Sequence, residues 1–251
     1  MKRTLCALAF LAIGCGTERE DAGDAARARM QDQADQLRLA LKERPESPLL
    51  EYRLGQLFAG HGLMDSARAA FERSLALHEA FPEAHLEMAQ IYFSQGLLDK
   101  SARSYEQAVR FDPKNAAAHN NLGYVYKRLG DFDSASTSYE RAIAVDRTFV
   151  EAYNNLGQIY KAQGRSEKAV EVLRRAIAIR GDFSGAYVNL AKVYQAQGKN
   201  GEEVEIWRKY AERFGSADKY SAYARDRLFD LTERTTASER SKRRLSHFLV
   251  Y

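Results

Sequence analysis

Cysteine, proline and tryptophan are scarce in this chain of 251 residues, which contains two, four and one of them respectively. Both cysteines, Cys6 and Cys15, lie near the amino terminus, so the rest of the chain has no thiol for a disulfide or a cysteine-ligated metal. Few prolines and many helix-forming residues predict an all-α protein.

A strong charge of one sign is also missing. The formal net charge is +4, and about +2 if Lys2 and Arg3 are subtracted as part of a removed segment. Nucleic-acid-binding domains usually carry a concentrated basic face. The overall charge therefore predicts no nucleic-acid partner.

The one continuous apolar stretch near the amino terminus runs from Leu5 to Ile13 and is too short to span a bilayer. Two basic residues precede it, a layout that is typical of an export signal. We expect residues 1–14 to be a signal peptide. Residues 15–29, which are mostly small or charged, would then form a tether.

The end of this segment resembles the signal box of bacterial lipoproteins, with the sequence Leu11, Ala12, Ile13, Gly14 and Cys15. The resemblance implies that Cys15 becomes the lipid-bearing first residue and anchors the chain to a membrane. Gly16 after the cysteine favours the outer membrane by the same resemblance. The alternative is a plain cleaved signal in which Cys15 has no role.

A period of 34 residues dominates the rest of the chain. It spaces a set of glycines, Gly62, Gly96, Gly130, Gly164 and Gly198, and a set of aromatic residues four positions before them, Phe58, Tyr92, Tyr126, Tyr160 and Tyr194. The glycines suit the left-handed conformation that ends a helix. Small residues at further columns allow close approach of helix backbones, so each period predicts a pair of antiparallel helices whose apolar faces are covered by the neighbouring pairs.

These columns resemble those of tetratricopeptide-repeat proteins. The resemblance implies an all-α, right-handed α-solenoid of antiparallel helix pairs, with five repeats over 48–217, at 48–81, 82–115, 116–149, 150–183 and 184–217. Residues 30–47 resemble a partial repeat that precedes them. Residues 218–231 are predicted to form a capping helix, and 232–251 a polar and basic tail with an apolar end.

No signature of an enzyme, a cofactor or a metal site is present in the sequence. It has no glycine-rich phosphate loop and no His-Glu-x-x-His pattern. His85 and His119 share a column, but equivalent residues of stacked repeats are about 10 Å apart, too far to bind one metal. The sequence predicts a protein without catalytic activity.

The resemblance implies that the first helices of the repeats line a concave groove that contacts a protein or peptide. The groove positions are polar: Asn120, Asn121, Tyr124, Lys127, Asn154, Asn155, Gln158, Lys161, Asn189, Lys192 and Gln195. Asn121, Asn155 and Asn189 form a ladder at 34-residue spacing. It is similar to the asparagine ladder of O-linked N-acetylglucosamine transferases, in which amides hold an extended peptide backbone. The alternative is that these amides contact only water or each other.

The expected function is therefore that of a non-enzymatic scaffold or adaptor in the bacterial cell envelope, facing the periplasm, with a partner that the sequence does not identify. The alternative is an assembly subunit, of the kind that serves pilus or secretion systems, that self-associates through its terminal helices and tail. The oligomeric state is left open.

Overall fold

The computed structural model describes residues 7–216 and 218–233, and their side chains from residue 25 onward. These residues form helices and no strand, which confirms the predicted all-α class. The helices are α1 (Ala7–Glu43), α2 (Pro48–Gly60), α3 (Met64–Leu77), α4 (Pro82–Ser94), α5 (Leu98–Phe111), α6 (Ala116–Leu129), α7 (Phe132–Val145), α8 (Val150–Ala162), α9 (Ser166–Ile179), α10 (Ser184–Ala196), α11 (Asn200–Phe214) and α12 (221–233).

The helices fall into two compact units. The N-terminal unit, Met1–Phe111, contains α1 to α5, and the C-terminal unit, Asp112–Tyr251, contains α6 to α12. Helices α2 to α5 of the N-terminal unit and α6 to α11 of the C-terminal unit form pairs of similar length. The first helix of every pair begins 34 residues after the first helix of the pair before it. We call α2, α4, α6, α8 and α10 the first helices, and α3, α5, α7, α9 and α11 the second helices.

Two glycines of one repeat show why the glycine columns exist. Gly164 follows α8 with a φ of +73°, a left-handed conformation that is costly for other residues and that turns the chain into α9. Gly157 lies inside α8, where a Cβ atom would come 2.5 Å from Cγ of Leu173 on α9. Gly164 therefore shapes the turn, while Gly157 allows the two helices to pack closely.

The ends of the helices carry the caps that the sequence supplies. The side chain of Asn115 accepts a hydrogen bond from the backbone N–H of Ala118 at 2.9 Å, and the side chain of Asp131 accepts one from Ser134 at 3.0 Å. Pro48 and Pro82 open α2 and α4, where a missing backbone N–H costs nothing. Of these contacts, the one made by Asn115 sets the start of α6, a helix that carries part of the candidate site.

Each unit has its own apolar core. In the N-terminal unit Phe71 and Leu54 are buried with Ala34 of α1, which packs against the first repeat. In the C-terminal unit the core continues from Tyr139 through Leu173 to Trp207, all fully or almost fully buried. The large residues of the second helices therefore hold successive pairs together.

The last pair differs from the others because a carboxylate replaces a small residue. Glu203 occupies the column of four small residues, Ala67, Ser101, Ala135 and Ala169, and is 1% exposed. Arg227 of α12 donates to it from Nε at 2.7 Å, and Trp207 donates from its indole nitrogen at 3.2 Å. This buried ion pair fastens α12 onto α11, so the departure from the repeat pattern belongs to the contact with the final helix.

The amino-terminal predictions stay predictions. Helix α1 covers residues 7–43, which includes part of the predicted signal, the tether at 15–29 and most of the partial repeat. Residues 1–6 and the side chains of residues 7–24, including that of Cys15, lie outside the described part of the chain, as do residues 234–251 of the predicted tail. The predicted cap at 218–231 overlaps the helix observed at 221–233.

Candidate functional site

The eleven predicted groove residues all lie on α6, α8 and α10, the first helices of the C-terminal unit. Most of their side chains are half-buried, while Tyr124, Lys161 and Gln195 are exposed and Asn154 is buried at 8% exposure. The recurrence at 34 residues places equivalent side chains on neighbouring first helices. We refer to the surface formed by these eleven residues as the amide face.

Four asparagines of the amide face form hydrogen bonds between neighbouring helices. Nδ2 of Asn155 on α8 donates to Oδ1 of Asn120 on α6 at 3.0 Å. Nδ2 of Asn189 on α10 donates to Oδ1 of Asn154 on α8 at 2.7 Å. Each bond joins residues that are 35 positions apart, so the pairs cross from one column of the repeat to the next.

This diagonal pairing was not foreseen from the sequence, which indicated a column of Asn121, Asn155 and Asn189. A signal for it existed, because the doublet Asn120-Asn121 recurs as Asn154-Asn155. In a doublet, one amide can accept from the following repeat while its neighbour donates to the preceding one. The first asparagine of the doublet therefore supports the second from the adjacent helix.

The diagonal pairs leave part of the asparagine amides unused. An asparagine side chain offers two N–H donors and one carbonyl oxygen with two lone pairs. Within the described residues, the hydrogen bonds above are the only ones that the side chains of Asn155 and Asn189 make. Each keeps one donor and its carbonyl oxygen for water or for a ligand.

A second contact between repeats lies further along the same helices. Nζ of Lys127 on α6 donates to Oε1 of Gln158 on α8 at 2.7 Å and lies 5.9 Å from the ring centroid of Tyr124. Lys161 and Lys192 occupy the equivalent positions one repeat later. Within the described part of the chain, neither ammonium group forms an ion pair with a carboxylate.

The one carboxylate on the three helices of the amide face is Glu151. Nη2 of Arg180 lies 2.5 Å from its Oε1. Although burial acts to raise it, the hydrogen bond from Arg180 lowers the pKa of Glu151 overall. This charge is therefore already neutralised by an arginine that follows α9.

The two histidines that share a column, His85 and His119, contact backbone carbonyl oxygens. A ring nitrogen of His85 lies 2.9 Å from the carbonyl oxygen of Glu79, and one of His119 lies 3.1 Å from that of Pro113. Both carbonyls belong to the segment before the helix. Among the described residues, no group of three or more His, Cys, Asp or Glu side chains could hold a metal ion.

The C-terminal unit also has a cavity of about 380 Å³ between α9, α10 and α11. Leu190 and Ile206 belong to its apolar lining, and Lys209, which also lines it, pairs with Glu205 at 2.6 Å. None of the predicted site residues contributes to it. No helix of the described residues has the length and apolar character needed to cross a membrane.

Comparison with known proteins gives a consistent fold. A family model described as TPR repeat matches residues 89–130, 127–164 and 157–198. The crystal structure of MamA protein is 26% identical with a TM-score of 0.65, and the match covers 70% of this chain and 96% of that one. No curated protein matches the chain.

Two further solved structures show the same fold at lower identity. YrrB, described as a TPR protein with an unusual peptide-binding site, is 17% identical with a TM-score of 0.67, over 77% of this chain and 99% of that one. PilW, described as a widely conserved type IV pilus biogenesis factor, is 23% identical with a TM-score of 0.57, over 76% and 92%.

Proposed function

Because the chain is a tetratricopeptide-repeat protein, we propose that it is a non-enzymatic scaffold that binds an extended segment of a partner protein on the amide face. The observation that carries the proposal is that Asn155 on α8 and Asn189 on α10 each keep one N–H donor and a carbonyl oxygen for a ligand. That YrrB is described as having a peptide-binding site supports a peptide as the ligand.

The chemistry of an amide suits the backbone of an extended peptide. Such a backbone presents both N–H and C=O groups at regular intervals, and each asparagine keeps one donor and one acceptor for them. One hydrogen bond of this kind contributes about 0.5–1.5 kcal/mol. Because Asn155 and Asn189 are already held by neighbouring helices, little side-chain entropy is lost when a peptide binds.

The proposal is tested by photo-crosslinking in cells from position 161, with Lys161 replaced by a photoreactive residue. The Asn155→Ala/Asn189→Ala variant should lose most of the crosslinked product, because the peptide loses two backbone contacts. Asn200→Ala is the matched control, since Asn200 is an exposed amide at the start of α11, outside the amide face. Unchanged crosslinking in the double variant, with helix content and melting temperature preserved, would refute the amide face as the binding site.

We propose that a lipid on Cys15 anchors the scaffold in the bacterial cell envelope, facing the periplasm from the outer membrane. The proposal is supported by the signal box at residues 11–15 and by Gly16, and the description of PilW as a pilus biogenesis factor agrees with an envelope role. Cys15→Ser should abolish incorporation of radiolabelled palmitate and release the protein from membranes. Labelling that persists in this variant would contradict the assignment.

A second candidate function, self-association, is favoured by two exposed aromatic residues of α12. Phe229 is 66% exposed and Tyr223 is 42% exposed, and residues 245–251 of the tail are apolar in sequence. Light scattering on the full chain, on Phe229→Ser and on a chain lacking residues 245–251 tests it. An oligomer that both changes dissociate would support assembly, and a monomer in all three samples would exclude it.

A further inference from the structure

Charge is segregated between the helices of the C-terminal unit. The first helices α6, α8 and α10 carry four basic residues, Lys127, Arg128, Lys161 and Lys192, and one acidic residue, Glu151, which Arg180 neutralises. The second helices carry both signs, with Glu140 and Arg141 on α7 as one example. The amide face is therefore a surface of one sign within a unit of mixed charge.

The N-terminal unit has the opposite balance on its first helices. Helices α2 and α4 carry three acidic residues, Glu51, Glu83 and Glu87, and one basic residue, Arg53. Oε1 of Glu87 accepts a hydrogen bond from Gln56 at 3.5 Å. The basic character is therefore specific to α6, α8 and α10 and does not follow from the repeat pattern itself.

Two of the basic residues occupy positions that are equivalent to those of a contacting pair one repeat earlier. Lys127 of α6 reaches Gln158 of α8 at 2.7 Å, and the same two positions one repeat later are those of Lys161 and Lys192. A lysine and a glutamine satisfy each other as donor and acceptor. Two lysines cannot, because an ammonium group has three donors and no acceptor.

We infer that Lys161 and Lys192 together bind a carboxylate of the partner, so that the segment held by the amide face is an acidic peptide. A carboxylate between the two ammonium groups accepts from both and removes their repulsion. The inference rests on the proposed peptide-binding function. The neighbouring Asn155 and Asn189 favour a peptide over a nucleic acid, since amides on the same helices complement a peptide backbone.

The expected ligand is an extended chain with acidic side chains at alternate positions. Successive side chains of an extended chain point to opposite faces, so a Glu-Ser alternation places every glutamate on one face, about 7 Å apart. Such a peptide presents carboxylates to α8 and α10 while its backbone stays on the amides. A Gln-Ser peptide of the same length has the same shape without the charge.

The inference is tested by fluorescence anisotropy on the full chain with labelled Glu-Ser and Gln-Ser peptides of about 12 residues. The Glu-Ser peptide should bind about tenfold more tightly at low salt, because two exposed charge pairs contribute modestly. The advantage should fall as salt is raised from about 50 mM to about 500 mM. Lys161→Ala/Lys192→Ala should remove the advantage of the Glu-Ser peptide over the Gln-Ser peptide.

The controls separate this inference from the proposed function. Arg175→Ala/Lys199→Ala removes the same charge outside the first helices, from exposed positions, and should keep the preference for Glu-Ser. If both peptides bind equally and Asn155→Ala/Asn189→Ala weakens both, the scaffold function stands and the acidic preference is wrong. If neither peptide binds, the proposed function fails as well. Stronger binding of a thymidine oligonucleotide of similar length than of Glu-Ser would overturn the inference in favour of nucleic acid.

Discussion

Replacing Arg227 by methionine should destabilise the carboxyl-terminal end of the repeats by leaving a buried carboxylate without its cation. Glu203 is 1% exposed and Arg227 has a side-chain exposure of 18%. In the native protein the hydrogen bond to Glu203 raises the pKa of Arg227. In Arg227→Met the indole N–H of Trp207 is the remaining hydrogen-bond donor to that carboxylate among the described side chains.

The size of the effect follows from the burial of the two groups. Removing one partner of a fully buried ion pair costs about 3–5 kcal/mol, and partial exposure of the arginine places this pair near 3 kcal/mol. With a urea m-value of about 2 kcal/mol/M, the unfolding midpoint should fall by about 1.5 M.

Unfolding can be followed by the fluorescence of Trp207. This residue is the single tryptophan of the chain, is 1% exposed and lies on α11 beside the ion pair of Glu203 and Arg227. Arg225→Met, an exposed arginine two residues earlier, is the matched control and should leave the midpoint nearly unchanged. Glu203→Leu/Arg227→Leu should regain most of the stability, since an apolar pair needs no cation. The reasoning would be refuted if the two arginine variants lowered the midpoint equally.

Three other changes have definite expected effects. Gly157→Ala should lower the free energy of unfolding by about 1–2 kcal/mol through overpacking against α9, while Gly201→Ala, with open space around the added Cβ atom, should raise it slightly in urea titrations. Tyr139→Phe should be neutral or stabilising by up to about 1 kcal/mol in the same assay, because its buried hydroxyl has no hydrogen-bond partner among the described residues. Burial, followed by the hydrogen bond to Asp218, raises the pKa of Tyr210 to about 12. The neutral Tyr210 hydroxyl therefore contributes to the free energy of unfolding below about pH 10, and this stabilisation is lost as the pH rises from 10 to 12. Tyr210→Phe should flatten the fall in melting temperature over that range.

The pairing of helices could be predicted because it depends on local columns. Gly157 is needed for the packing of two helices and Gly164 for the turn between them, so both requirements recur within every repeat and show as a period in the sequence. Such columns are independent of how one repeat is rotated against the next. Fold class and repeat spacing were therefore accessible without coordinates.

The contacts between repeats could not be predicted in the same way. The bond from Asn155 to Asn120 joins two columns, and its existence depends on the stagger between α6 and α8. The ion pair of Glu203 could not be predicted from the repeat pattern either, because Arg227 lies on α12, outside the five full repeats. A residue that departs from a column indicates that something is different there but does not identify its partner.

The diagonal amide bonds also connect the stability of the repeats to the binding of a ligand. Asn155 donates one N–H to Asn120 and keeps the other for a peptide, so one side chain serves both the stacking of helices and recognition. A peptide that bonds to Asn155 and Asn189 would hold α8 and α10 in the arrangement that the diagonal bonds already favour. Binding should therefore stabilise the interface between these repeats by an amount that grows with the concentration of free peptide relative to its Kd.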